Sequence, residues 1–257
     1  MATEFSIRGG FFHKIRGVLD TPAGEGPFPT VVICHGFTGH KQQDIYISLT
    51  DALTSFGFAT VRFDFTTAID AGIANFHVRS ELRDLQAVFD KLEDWAVVDP
   101  SRAGLVGHSY GATIALLFAG AVHTPRALAC LSPKLWIGER GDQTNAAWLT
   151  EAARKGYFEH ATSDGRRFRV NGSFLRENFR HYDRLKRALL SVTAPTLIVY
   201  GDDAQNTDDV EGQTIFQTLR CRKRVHVVRG GDHAYRKPRR AQSLVGRQVA
   251  RWFAATL

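Results

Sequence analysis

The chain has 257 residues, 44% of them hydrophobic and 23% charged, with a formal charge of +7. So large an apolar share excludes a disordered chain, and the length suits one α/β domain with an insertion better than two independent domains. No apolar run approaches the ~18 residues needed to cross a bilayer, and the opening MATEFSIRGG lacks the apolar stretch of a secretory signal, so neither a membrane span nor Sec export is expected.

From the amino end, EFSIRG and FFHKIRGVLD read as two strands, followed by the loop TPAGEGPFP. Residues 30–37 (TVVICHGF) are a continuous apolar run rich in β-branched side chains, as in a strand covered on both faces. Helical sequence leads to about Phe56, and a second buried strand follows at 58–65 (FATVRFDF). Over residues 80–95, Leu82, Leu85, Phe89, Leu92 and Trp95 recur at helical spacing and give one buried face. A strand at 103–109 (AGLVGHS) runs into the apolar helix GATIALLFAGAV. Buried-strand patterns return at 127–132, 195–201 and 225–230, and a last helix spans about 239–253. Strands alternating with helices imply a mostly parallel sheet with helices on both faces.

One stretch breaks this rhythm. About sixty residues separate the strands ending near Ser132 and starting at Pro195, more than a crossover needs. Within it, Asn171-Gly172 stands between the strand-like runs RRFRV and SFL, a hairpin signal, while Ser163-Asp164-Gly165 marks an earlier turn and 177–190 reads as helix. The expected organisation is a core of residues 1–133 and 191–257 with an inserted cap at 134–190.

Positive charge is concentrated. Residues 220–240 hold nine Lys/Arg against one acid, and residues 151–190 hold ten against five, leaving the rest of the chain at −6. No aromatic-and-basic nucleic-acid motif accompanies these segments, so they read as a solvated basic face, with attraction of an acidic substrate such as a CoA thioester as the functional counterpart. Cys34, Cys130 and Cys221 show no CxxC pairing, which suggests reduced thiols and a cytoplasmic setting.

GHSYG (107–111) matches G-x-S-x-G, a weak signal alone. Its context strengthens it, because Ser109 ends an apolar strand and opens a helix, where a tight turn needs glycines and the hydroxyl meets a positive helix terminus. HGFTG (35–39) follows an earlier buried strand, so the Phe37 N–H and the Tyr110 N–H are the candidate donors to a developing oxyanion.

HGFTG, FDF (63–65), GHSYG, YGDD (200–203) and GGDH (230–233), in this order, resemble the α/β-hydrolase superfamily over essentially the whole chain. The cap placed before the YGDD strand is similar to the cinnamoyl/feruloyl esterase branch. The resemblance implies an α/β-hydrolase fold and a Ser–acid–His order: Ser109 as nucleophile, an acid near Asp203, and His233 as general base. His35 and His108 then support their loops, and His226 lies inside a strand. In these enzymes the carboxylate usually comes three residues after the strand's last glycine. Counted from Gly201 that place holds Ala204, so Asp203 is preferred, with Asp202 and Asp208 as alternatives. The implied activity is hydrolysis of a small-molecule carboxylic ester, short-chain or hydroxycinnamoyl, with no cofactor, metal or nucleic acid. Trp136, Trp148, Tyr157 and Phe158 either line an acyl pocket or form the cap's own core. A peptidase, thioesterase or acyltransferase on the same triad, a catalytically weak binding protein, and a homodimer all stay open.

Overall fold

The computed structural model describes residues 1–9, 13–70, 72–121, 125–135, 143–162, 165–203 and 208–257. Its main sheet has eight strands in the order β1-β2-β4-β3-β7-β8-β11-β12. These are β1 (Ala2–Arg8), β2 (Lys14–Asp20), β3 (Phe28–Cys34), β4 (Ala59–Asp64), β7 (Val98–His108), β8 (Ala127–Leu131), β11 (Thr196–Gly201) and β12 (Lys223–Val228). Strand β2 runs antiparallel to both β1 and β4, and from β4 to β12 every neighbouring pair is parallel. Such a sheet must be covered on both faces, and it is. Helices α1 (Asp44–Ser55) and α7 (Ala241–Ala254) pack against one another and bury Leu49, Leu53, Val245 and Val249 beside Val31, Ile33, Val106 and Leu197. The alternate residues of the same strands, Val32, Cys34, Leu105 and Ile198, point the other way, into a core shared with α2 (Val78–Leu92) and α3 (Tyr110–Ala121). Ten consecutive residues of α3, Tyr110 to Ala119, are buried, which is why its sequence is apolar all round. None of the described helices is long and apolar enough to cross a membrane.

A second sheet lies outside the first. Strands β5 (Ala68–Asp70) and β6 (Ile73–Asn75) form a hairpin after β4, and β6 pairs in parallel with β10 (Arg167–Asn171), which pairs with β9 (Tyr157–Ala161). Helices α4 (Gln143–Lys155) and α5 (Ser173–Ser191) flank β9 and β10, and α6 (Asp208–Thr218) follows β11.

The Asn171-Gly172 hairpin is a misreading that the structure corrects: the pair joins β10 to α5. The Asn171 side chain accepts the Ser173 N–H at 2.9 Å, as at a helix start, and Gly172 sits at φ −62°, whereas a two-residue hairpin turn needs positive φ. The hairpin is the antiparallel pair β9–β10, and of the turn expected at Ser163-Asp164-Gly165 residues 163 and 164 lie outside the described residues.

Candidate active site

Strand β7 delivers Ser109 to the carboxyl edge of the sheet, and α3 begins at the next residue. Ser109 adopts φ +56°, a left-handed conformation that costs a non-glycine residue free energy. Its neighbours make the turn sterically feasible. A Cβ on Gly107 would lie 2.4 Å from the Gly111 carbonyl oxygen, and one on Gly111 would lie 2.4 Å from that of His35. Glycine is therefore required at 107 for the elbow to close on itself and at 111 for it to approach the HGFTG loop. The Ser109 N–H is tied to the Leu131 carbonyl at 2.8 Å, which fixes the turn against β8.

The structure brings His233 to this serine. Its Nε2 lies 2.9 Å from Ser109 Oγ although 124 residues separate them in the chain. Both side chains are half-buried. The loop that carries His233 is anchored at several points. The Tyr235 hydroxyl donates to the Val199 carbonyl and accepts from Ser132 Oγ, each at 2.9 Å. Asp232 Oδ1 accepts the Arg236 N–H at 2.5 Å, and Asp202 Oδ1 accepts the Gly230 N–H at 2.5 Å.

Asp203 follows β11 and is half-buried, its N–H donating to the Gly231 carbonyl at 3.2 Å. Thus Asp202 is committed to the Gly230-Gly231 turn, while Asp203 is the next carboxylate along the same loop. Ala204 and the side chain of Asp208 lie outside the described residues.

Phe37 and Tyr110 flank Ser109 from the HGFTG loop and the head of α3. Among the described residues neither main-chain N–H is engaged by an acceptor. Gly36 lies so close to the elbow that a Cβ there would come within 3.1 Å of Ser109 Cβ. The Phe37 ring stacks on Phe174 of α5 (4.7 Å, 10°) and meets Phe76 at 4.8 Å, His160 at 5.2 Å and Tyr110 at 6.3 Å. Trp148 stacks on Phe158 at 4.7 Å and reaches Phe37 at 6.4 Å. Phe158 is wholly buried, so these two rings belong to the aromatic core under the small sheet, and that core is continuous with the HGFTG loop. Tyr157 lies apart from it, against Lys155 and Arg169. Trp136 is outside the described residues.

The supporting histidines are resolved in detail. Burial holds the pKa of His35 below its ordinary value; its Nδ1–H donates to the Gly36 carbonyl at 2.8 Å, and its Nε2 accepts the Phe65 N–H at 3.0 Å. His108 bonds to the His233 carbonyl and to the Tyr46 hydroxyl. His226 lies in β12, as its strand pattern implies. Beneath Tyr110, Glu81 is 3% exposed, and burial pushes its carboxyl well above the usual range beside a phenol that makes no well-formed bond to its Oε2. Sequence reasoning missed Glu81, whose place on a buried helix face is visible only in three dimensions. Among the described residues no cluster of His, Cys, Asp and Glu is arranged to hold a metal ion.

The profile of the alpha/beta hydrolase family matches residues 31–241. Esterase FrsA of Klebsiella pneumoniae subsp. pneumoniae is 33% identical over 134 residues, a match spanning 51% of this chain and 31% of that protein. Among solved structures, Est1E from Butyrivibrio proteoclasticus has a TM-score of 0.73 at 23% identity over 98% of both chains. A ferulic acid complex of Est1E matches at 0.70 with 23% identity over 95% of each chain. DcsB in complex with its substrate analogue has a TM-score of 0.80 at 15% identity over 100% of both chains.

Proposed function

The chain belongs to the alpha/beta hydrolase family, and on that premise we propose that it is a serine hydrolase that cleaves carboxylic esters through an acyl-enzyme on Ser109. The observation that carries this reading is the 2.9 Å contact between Ser109 Oγ and His233 Nε2 on a turn strained to φ +56°. As Oγ attacks the ester carbonyl, its proton passes to His233 Nε2. The negative charge that builds on the carbonyl oxygen is taken by the N–H groups of Phe37 and Tyr110, which no main-chain acceptor among the described residues engages. Collapse breaks the carbon–oxygen bond to the alcohol, which leaves with the proton from His233. A water then gives its proton to the same ring and its oxygen to the acyl carbon, releasing the acid and restoring Ser109.

For Nε2 to accept the serine proton, His233 must carry its own proton on Nδ1, and a carboxylate facing that atom holds this tautomer. Asp203 is assigned the role, a choice supported by the commitment of Asp202 to Gly230. The cap at 134–190 bounds the acyl side. Its aromatic core reaches Phe37, which favours short-chain or hydroxycinnamoyl groups, and the ferulic acid complex of Est1E supports testing the latter.

The experiment is covalent labelling by a fluorophosphonate together with turnover of p-nitrophenyl acetate and methyl ferulate. Wild-type protein labels at one serine, and Ser109→Ala abolishes labelling and lowers kcat by about 10⁴-fold or more. Turnover unchanged in Ser109→Ala would overturn the mechanism. Acylation without release of the acid would instead indicate a hydrolase-like binding protein.

A further inference from the structure

The Ser109–His233 pair has a second, parallel connection. His108, one residue before the nucleophile, places its Nε2 2.9 Å from the main-chain carbonyl of His233, and its Nδ1 3.0 Å from the Tyr46 hydroxyl. The Gly36 N–H in turn donates to that hydroxyl at 2.9 Å. Bond directions along this chain are fixed at both ends. A carbonyl only accepts, so His108 carries its hydrogen on Nε2. In the neutral ring Nδ1 is then an acceptor, the Tyr46 O–H donates to it, and the phenol oxygen takes the Gly36 N–H. Both side chains are buried, Tyr46 at 1% and His108 at 7% exposure, so water does not substitute readily for a lost link.

The chain joins parts that are remote in sequence. His233 lies 125 residues from His108, and Tyr46 lies 62 from it. Gly36 immediately precedes Phe37, whose N–H is assigned to the oxyanion. Elbow and base loop therefore meet at two points, one through Ser109 Oγ and one through the ring of His108, and the second point continues into the oxyanion loop. Helix α1 contributes only the tyrosine that closes the connection.

We propose that Tyr46 and His108 are positioning residues that hold the base loop and the oxyanion loop in register with Ser109, through the chain Gly36 N–H to Tyr46, Tyr46 O–H to His108 Nδ1, and His108 Nε2–H to the His233 carbonyl. Neither residue touches substrate. Loss of one link uncouples the base loop from the oxyanion loop, and near-attack geometry of this kind bears on the chemical step more than on binding. The proposal rests on the serine hydrolase reading above.

The test uses Tyr46→Phe, which removes one oxygen and keeps the ring, His108→Phe, which removes both ring nitrogens, and His108→Gln, whose amide offers a donor and an acceptor. With p-nitrophenyl acetate, Tyr46→Phe and His108→Phe are expected to lower kcat by about tenfold or more while KM stays within about twofold, and His108→Gln to recover part of the loss. The double variant Tyr46→Phe/His108→Phe is expected to lose little more than the worse single variant, because the links act in series. Nitrogen NMR of ring-labelled wild-type protein should show His108 as a single tautomer protonated at Nε2, and Tyr46→Phe should erode that preference. Unchanged kcat in both single variants, fully multiplicative losses, or an Nδ1-protonated His108 would each overturn the relay while leaving labelling of Ser109 intact. A wild-type protein that no fluorophosphonate labels would instead overturn the hydrolase reading, and the relay with it.

Discussion

At Ser109 the demands of folding and of chemistry diverge. A non-glycine residue at φ +56° costs roughly 1–3 kcal/mol, which the surrounding glycine contacts and the bond to Leu131 hold in place. Ser109→Gly should therefore raise stability by about 1 kcal/mol, read as a higher denaturation midpoint in urea, while abolishing ester turnover. A destabilised glycine variant would show that the turn is not strained. The acid can be assigned by comparing two neighbours. Asp203→Asn should lower kcat by about 10⁴-fold through loss of the Nδ1–H tautomer of His233. Asp202→Asn should lower it by less than about tenfold, because its oxygen can still accept from Gly230. Equal losses in the two variants, measured on p-nitrophenyl acetate, would contradict the assignment of Asp203. Ser109 and His233, which the structure brings within 2.9 Å, were singled out in the sequence by local patterns, GHSYG after an apolar strand and GGDH after another. Tyr46 and His108 act through contacts that no local pattern encodes, and the sequence placed His108 only as a support for its loop.

Between elements, α3 and α5 approach one another closely. A Cβ added to Gly120 would lie 2.2 Å from the Ala188 carbonyl oxygen, so the two helices would have to separate. Gly120→Ala, ordinarily favourable in a helix, should here cost about 1–3 kcal/mol, detectable in urea denaturation; a stabilised variant would mean that α5 moves aside freely. The inner strands β3, β4, β7, β8 and β11 could be read because each carries a buried run of apolar, often β-branched residues covered on both faces. The small sheet could not. Strands β5 and β6 have three residues each and no distinctive pattern, so nothing before the structure joined residues 68–75 to β10. Asn171 misled for a different reason: the asparagine that favours tight hairpins also caps helices, and only the backbone at Gly172 separates the two uses.

For the molecule as a whole, charge and burial set the response to pH. Three histidines, His35, His160 and His226, are held below their ordinary pKa, chiefly by burial and at His226 also by Arg224. Unfolded, each takes up a proton near pH ~6.5, which the folded protein resists. Their contribution is therefore fully present above that pH and is lost as the pH falls from there toward the lower folded values. The thermal midpoint should drop between pH 7.5 and 5.5 by more in the wild type than in His35→Gln, whose amide cannot titrate. Identical profiles would remove His35 from the account. The excess basic charge has a structural place as well. Strand β12 is an edge of the main sheet, and the exposed Arg222, Arg224 and Arg229 on and around it discourage pairing with another chain, as expected of a solvated face.

The outer sheet also bears on how such a protein can be re-engineered. Half of it comes from residues 68–75, between β4 and α2, and half from residues 157–171. Transplanting only the later half from a relative would leave β6 facing a strand it did not evolve beside, with side chains that do not fit across the pair. A working chimera must exchange both segments together, at four junctions rather than two.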